Sequence, residues 1–407
     1  MGTFIKWMGI LRNIMGIIDI IVESSLNSER PSAEFLVEHQ IFPGLRYPNG
    51  AGVKVGVSGK GKVVGFDSAK DNAPMGGRLS YCGYDIRDLV SNFEKEDRTG
   101  FEEVAFLLLT DRLPTAAELE EFSGELRERA TLNGKAKEYI GTTSANKDLM
   151  DALGRAVMDQ TLYRNDVNSS EPAALVDQAM DILAKMPAMV AYSFEDNRKA
   201  FLFRRPEGGS AAERFYHMLT GYGADAAVRA VVDLALVLHA EHGGGNNSTF
   251  TVRNVTSTGA NTYQAIGAGI GSLSGPLHGG ANNKVMAMMD DLKKNIQNWT
   301  GEGEVRAYLN SMVRKEKGDG SGKIYGIGHA VYTLSDPRAV ILKEKARWLS
   351  ERIGGQEEFA FYELIEKLSS EVISEGKRGT VAAANVDFWS GFVYDMINIP
   401  REVYTPM

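Results

Sequence analysis

Residues 257–282 read STGANTYQAIGAGIGSLSGPLHGGAN, a helical run almost without side-chain bulk that leads into a histidine framed by glycines. Ala265, Gly267, Ala268, Gly269, Gly271 and Ser272 leave one side of the run nearly bare. Glycine costs about 1 kcal/mol per helical position relative to alanine, so that many small residues make sense where a helix packs very closely on another, and a dimer interface suits it. The spacing predicts a helix over 257–274, and helical periodicity holds through most of the chain from about residue 84.

Start signals place further helices. Thr99-x-x-Glu102 precedes Val104–Leu109, and Pro114-Thr115-x-x-Glu118 precedes Leu119–Arg129; both have the capping-box form. Asp225 is a fitting N-cap for Ala226–Ala240, a helix apolar on nearly all sides whose end carries His239 and His242 inward. Lys284–Gln297, Gly303–Lys315 and a helix opened by Asp336-Pro337 follow, with glycine-rich joints at 318–328. Val53, Val55 and Val57, then Val63-Val64, alternate among glycines, which gives a minor β element near residues 50–65. The expected class is all-α. A chain of 407 residues exceeds one compact core and calls for two domains or a large insertion.

Hydrophobic content of 43% and charged content of 24% are those of a globular protein, and a formal charge of −8 argues against non-specific nucleic-acid binding. The lone Cys82 excludes an intrachain disulfide framework, which suits a reducing cytoplasm, and is expected as a small buried filler. Met1–Ser24 is apolar but broken by Lys6, Arg12, Asp19 and Glu23, so it is read as a docking or oligomer-contact helix and not as a membrane span or signal peptide.

Three weaker patterns are set aside. Gly267-x-Gly269-x-Gly271 lies inside a helical pattern and not between a strand and a helix, and Gly318-x-Gly320-x-Gly322-Lys323 lacks phosphate-loop spacing. His239-x-x-His242 has metal-like spacing without a matching acidic partner, so no metal is expected.

Four of the six histidines fall in polar, glycine-rich segments: 239–248 (HAEHGGGNNS), 275–282 (GPLHGGAN) and 326–338 (GIGHAVYTLSDPR). Glycine beside each ring lets a ligand approach closely, as pocket walls require. His278 is expected to face the start of the helix that follows it, whose positive end keeps the ring neutral and able to donate to a developing oxyanion. Arg338 stands in a first helical turn, where charge rules favour an acid; it makes sense if it and the free backbone amides face a carboxylate ligand. Asp387 sits among Val386, Phe388 and Trp389, where lost hydration raises its pKa and sharpens it as a base; a helix N-cap is its competing role.

Taken together, His242-Gly-Gly-Gly-Asn-Asn-Ser, Gly275-Pro-Leu-His-Gly-Gly-Ala-Asn282, Gly328-His-Ala-Val-Tyr with Asp336-Pro-Arg, and Asn385-Val-Asp-Phe-Trp-Ser-Gly391 strongly resemble the citrate synthase family in order and spacing. The likeness begins near Gly44-Leu-Arg and includes Glu103-Val-Ala-Phe-Leu-Leu-Leu and Leu113-Pro-Thr. It implies a two-domain helical homodimer, with residues 1–279 and 387–407 as the large domain and 280–386 as a small domain that closes over the substrates.

The same resemblance implies condensation of acetyl-CoA with oxaloacetate to citrate and CoA. Asp387 would deprotonate the acetyl methyl, His278 would stabilise the enol, and His329 would protonate the oxaloacetate carbonyl. His242, Asn246 and Arg338 match positions that hold oxaloacetate, while Lys323, Gly326 and Gly328 lie in the loop that meets coenzyme A. CoA is a co-substrate, and no permanently bound cofactor is implied. The family pattern runs on past Tyr404-Thr-Pro-Met407 to further substrate-binding arginines, each worth about 1.5–3 kcal/mol of binding. Two alternatives therefore accompany the first reading: a 2-methylcitrate synthase using propionyl-CoA, and a poorly active binding relative.

Overall fold

The structure, a computed structural model, describes residues 16–28, 31–39, 59–67, 73–143, 148–194, 209–244, 246–275, 278–329, 331–376 and 382–407. Among these residues there are seventeen α-helices and one three-stranded antiparallel sheet. The chain runs through α1 (Ile17–Asn27), α2 (Ala33–Glu38), β1 (Gly61–Asp67), β2 (Ala73–Tyr81), β3 (Tyr84–Asp85), α3 (Ile86–Lys95), α4 (Phe101–Thr110) and α5 (Ala116–Arg129). There follow α6 (Gly134–Thr143), α7 (Leu149–Asp159), α8 (Pro172–Ser193), α9 (Ala211–Thr220), α10 (Ala226–His239), α11 (Asn247–Thr256) and α12 (Thr262–Ser274). The last are α13 (Ala281–Asn295), α14 (Glu302–Val313), α15 (Pro337–Ile353), α16 (Gln356–Gly376) and α17 (Val386–Met396).

Three of the expected helix starts form as read, at Thr115, Asp225 and Asp336. Thr115 Oγ1 accepts from the Glu118 amide at 3.3 Å while the Glu118 carboxylate accepts from the Thr115 amide at 2.8 Å, closing the capping box of α5. Asp225 caps α10 through the Val228 amide at 2.8 Å. The box expected at Thr99 and Glu102 does not form. The cap residue of α4 is Gly100, and its free amides are satisfied from afar: Asp233, on α10, accepts from Gly100 N at 2.7 Å and Phe101 N at 3.1 Å. Glu102 instead accepts from the Ala211 amide, at the start of α9. A buried carboxylate bonded to two amides is a stronger acceptor than a threonine hydroxyl, so tertiary structure displaces the local signal.

The low-bulk helix is shorter than its pattern. Asn261 caps α12 at Gln264 N, and residues 257–259 close a turn after α11. Its close neighbours belong to the same chain. A Cβ on Gly267 would lie 2.6 Å from Met158 of α7, and one on Gly269 would lie 2.6 Å from Val252 of α11.

The sheet spans residues 61–85; Val53, Val55 and Val57 lie outside the described residues. β2 alternates Ala73, Met75, Gly77, Leu79 and Tyr81 with Pro74, Gly76, Arg78 and Ser80, but its proline and glycines are poor strand formers and mask that signal. Its register sets Gly61 opposite Tyr81 and Val63 opposite Leu79, with an irregularity between Val64 and Phe66.

The main core gathers around α17, whose Phe388, Trp389, Phe392 and Tyr394 are buried, with Tyr362 of α16 against three of these rings. A second cluster seats Ile17, Ile20 and Ile21 of α1 on Phe106, Phe122, Leu126 and Met180. Each such isoleucine contributes about 1.5–3 kcal/mol by burial. The docking helix expected at the N-terminus is thus α1, held by its own chain; residues 1–15 lie outside the described residues. Among the described residues no helix is long and apolar enough to cross a membrane.

Candidate active site

α10 ends at His239, whose Nδ1–H is 2.8 Å from the Ala235 carbonyl one turn back, so this ring lies along its own helix. The next turn carries His242. Glu241 accepts from the Gly243 amide and holds that turn closed. His242 Nε2 is buried with no protein partner, and the ring is 5.1 Å from His329 at 84° and 5.6 Å from Tyr332. Burial, then Arg338 and His329 nearby, push its pKa down to about 3, so it is neutral at physiological pH.

His329 is set by the end of its loop. Gly328 N donates to Ala383 O at 2.7 Å, Asn385 N to Gly326 O at 2.9 Å, and Asn385 Nδ2 to Gly328 O at 3.0 Å, which pins residues 326–328 to the entry of α17. The Val331 and Tyr332 amides both donate to His329 Nδ1 at 3.0 Å. Nδ1 is therefore the acceptor, and the ring proton sits on Nε2. Burial lowers the His329 pKa, Asp336 opposing and Arg338 adding to that shift.

Arg338 has a carboxylate partner within its own chain. It is 7% exposed and forks onto Asp336, 1% exposed, through Nε at 3.1 Å and Nη2 at 2.7 Å. Asp336 also caps α15 at the Arg338 amide. Much of the guanidinium charge is thus answered inside the protein, which is how a buried arginine is tolerated; Nη1 is the donor group not committed to Asp336.

Asp387 lies in the first turn of α17, and its competing role as N-cap falls to Asn385, whose Oδ1 accepts from the Asp387 amide at 3.0 Å. Burial pushes its carboxyl up to about 6, against the pull of Arg338. His278 stands apart from this cluster. Its Nε2 is 2.7 Å from Ser248 Oγ, in the first turn of α11, so the ring meets that helix and not α13, which begins at Ala281. Burial is the cause of its lowered pKa. Pro276 and Leu277 lie outside the described residues.

The remaining candidates make the following contacts within the chain. Asn246 accepts from Thr249 N at 2.8 Å and donates to Gly243 O at 3.0 Å, so its amide caps α11. Lys323 is exposed, and its amide donates to Ser321 Oγ. Gly326 and Gly328 have positive φ at the pinned loop. Cys82 is half-buried and not a fully buried filler: it donates to Asp111 Oδ1 at 3.3 Å, and burial pushes the thiol up to about 12, which keeps it protonated and unreactive. Among the described residues no cluster could hold a metal ion. Sequence reasoning gave no role to Tyr332 or Ser248, although both lie in the quoted motifs, and it missed Asp336 as the partner of Arg338.

Comparison with known proteins places the chain in a family. The family model described as citrate synthase, C-terminal domain, matches residues 52–407. The citrate synthase of Corynebacterium glutamicum is 34% identical over 337 residues, covering 81% of this chain and 73% of that protein. The 2-methylcitrate synthase of Shewanella oneidensis is 30% identical over 350 residues, covering 86% and 85%. The crystal structure of citrate synthase from Pyrobaculum aerophilum superposes with a TM-score of 0.69 at 29% identity, covering 89% of this chain and 87% of that one. With a family model matched over most of its length and relatives above the 30% level across four-fifths of it, this chain belongs to the citrate synthase family.

Proposed function

We propose that the chain is an acyltransferase that condenses acetyl-CoA with oxaloacetate, releasing citrate and CoA. The observation that carries the reading is that a carboxyl lifted to about 6, a neutral His242 and a His329 whose proton sits on Nε2 all feel the charge of one buried arginine, Arg338. Enolising a thioester needs a base of raised pKa and a neutral donor at the forming oxyanion, and attack on a ketone needs an acid at its oxygen.

Asp387 takes a proton from the acetyl methyl. Ser248, donating to His278 Nε2, leaves the proton of that ring on Nδ1, which is offered to the enol oxygen. The enol carbon bonds to the ketone carbon of oxaloacetate while His329 Nε2 gives up its proton to the ketone oxygen, and the proton held by Asp387 is returned to that ring through water, which resets both groups. Water then cleaves the citryl thioester to citrate and free CoA thiol. His242, Arg338 Nη1 and the turn built by Asn246 hold oxaloacetate, and the loop with Lys323, Gly326 and Gly328 takes CoA. Residues 280–386 form a small domain closing on 1–279 and 387–407, and two copies form a cytoplasmic homodimer in which α12 and its neighbours are the natural contact.

Free thiol appearing with oxaloacetate plus acetyl-CoA tests the activity; no thiol from a folded protein overturns it. The match to a 2-methylcitrate synthase favours a second reading, condensation of propionyl-CoA. A higher kcat/KM with propionyl-CoA than with acetyl-CoA would establish that one.

A further inference from the structure

The β1–β2 hairpin touches both loops that carry the oxaloacetate-facing histidines. Toward the His242 turn, Tyr81 donates to Val237 O at 2.9 Å, and the Glu241 carboxylate lies against Gly61, where a Cβ would overlap it. Val63 closes on Gly243. Toward the His329 loop, Gly77 N donates to Ser335 O at 3.1 Å and to Ser335 Oγ at 3.2 Å, and Thr333 Oγ1 donates to Gly65 O at 2.9 Å.

Two glycines make this approach possible. A Cβ on Gly65 would run into the Val331 carbonyl, and one on Gly77 would meet both the Ser335 carbonyl and Tyr332, at 2.6 Å from its Cδ1. Gly65 also falls at the register shift between Val64 and Phe66, a bulge that turns its carbonyl out of the ladder toward Thr333. Tyr332 in turn lies 4.6 Å from the His329 ring and 5.6 Å from that of His242.

We infer that this hairpin is the positioning element of the oxaloacetate half of the site: by gripping residues 331–335 and the 241–243 turn at once, it sets the spacing of His242 and His329. The inference rests on the proposed roles of those two histidines. It assigns Gly65, Gly77, Thr333 and Ser335, which touch no substrate, to oxaloacetate affinity and not to CoA affinity.

The test substitutes Thr333→Val, which keeps the shape and removes the hydroxyl that donates to Gly65 O and, at 3.5 Å, to Met75 O, with Thr333→Ser as the conservative control and Gly77→Ala as a steric probe. The expected result is an oxaloacetate KM raised about five- to tenfold in Thr333→Val. In Gly77→Ala it should rise further, with acetyl-CoA KM within about twofold and Thr333→Ser close to wild type. A purely structural role would lower the melting temperature without this split between substrates. Calorimetric titration of oxaloacetate into the same proteins reads the hairpin independently of turnover. Unchanged oxaloacetate affinity in folded Thr333→Val and Gly77→Ala, or both KM values rising together, overturns the hairpin. A wild type that binds oxaloacetate but releases no CoA overturns the proposed reaction instead, and one that binds no oxaloacetate overturns both.

Discussion

Asp387→Asn should abolish turnover and at the same time stabilise the fold. Burial holds the carboxyl at about 6, well above the ordinary aspartate value of 3.8. At about 1.36 kcal/mol per unit, keeping it ionised at pH 8 costs the folded state at most about 3 kcal/mol. Partial exposure toward the cleft screens the charge, so about 1–3 kcal/mol is the expected gain on removing it. No protein donor reaches the carboxylate among the described residues, so asparagine forfeits no hydrogen bond while keeping the shape. A raised carboxyl pKa favours the folded state below the unfolded value of 3.8 and loses that contribution as pH rises through 6. The advantage of Asp387→Asn is therefore largest above pH 6 and about half developed near pH 5. Urea denaturation of both proteins at pH 5 and pH 8 measures it, alongside thiol release. A destabilised Asp387→Asn, or a gain equal at both pH values, would refute the account of Asp387 as a desolvated base.

Other outcomes follow from the same geometry. His242 is depressed to about 3 while an unfolded histidine titrates near 6.5, so stability is lost as pH falls through that window, and His242→Gln should flatten the acid limb by about one proton in urea midpoints between pH 4 and 7. Arg338→Leu leaves the buried Asp336 carboxylate unpaired and should cost about 3–5 kcal/mol of stability, with Asp336→Asn added to it recovering part of the loss in the same denaturation assay. Thr115→Ala opens the capping box of α5 and should cost about 1 kcal/mol by calorimetry, with thiol release unchanged because α5 carries none of the site residues.

What could be read from the sequence depended on how local the determining interaction is. The caps at Thr115, Asp225 and Asp336 act within three residues, and all three form as their spacing indicates. The residues proposed to carry the chemistry stand out equally, as histidines framed by glycine, an arginine out of place in a first turn and an acid among aromatics. Long-range pairings left no such mark. Asp233 takes the capping role that Thr99 suggested, Ser248 receives a ring expected to face α13, and the alternation of β2 is masked by the proline and glycines that let two loops approach it. Arg338 was picked out by its misplacement, yet its observed partner is its own neighbour Asp336, a pairing that the order of residues alone does not distinguish from a waiting ligand site.

The cap that Asp233 supplies has a consequence for the order in which the chain assembles. α4 has ten residues, shorter than the roughly 12–15 that an isolated helix needs in water, and its first amides find their acceptor 133 positions later. During synthesis, residues 100–110 emerge well before α10 exists, so this segment is expected to remain unformed until α10 arrives to complete it. Pulse-labelled hydrogen exchange during refolding should then show the Gly100 and Phe101 amides gaining protection together with α10, and not with α5 beside them in sequence.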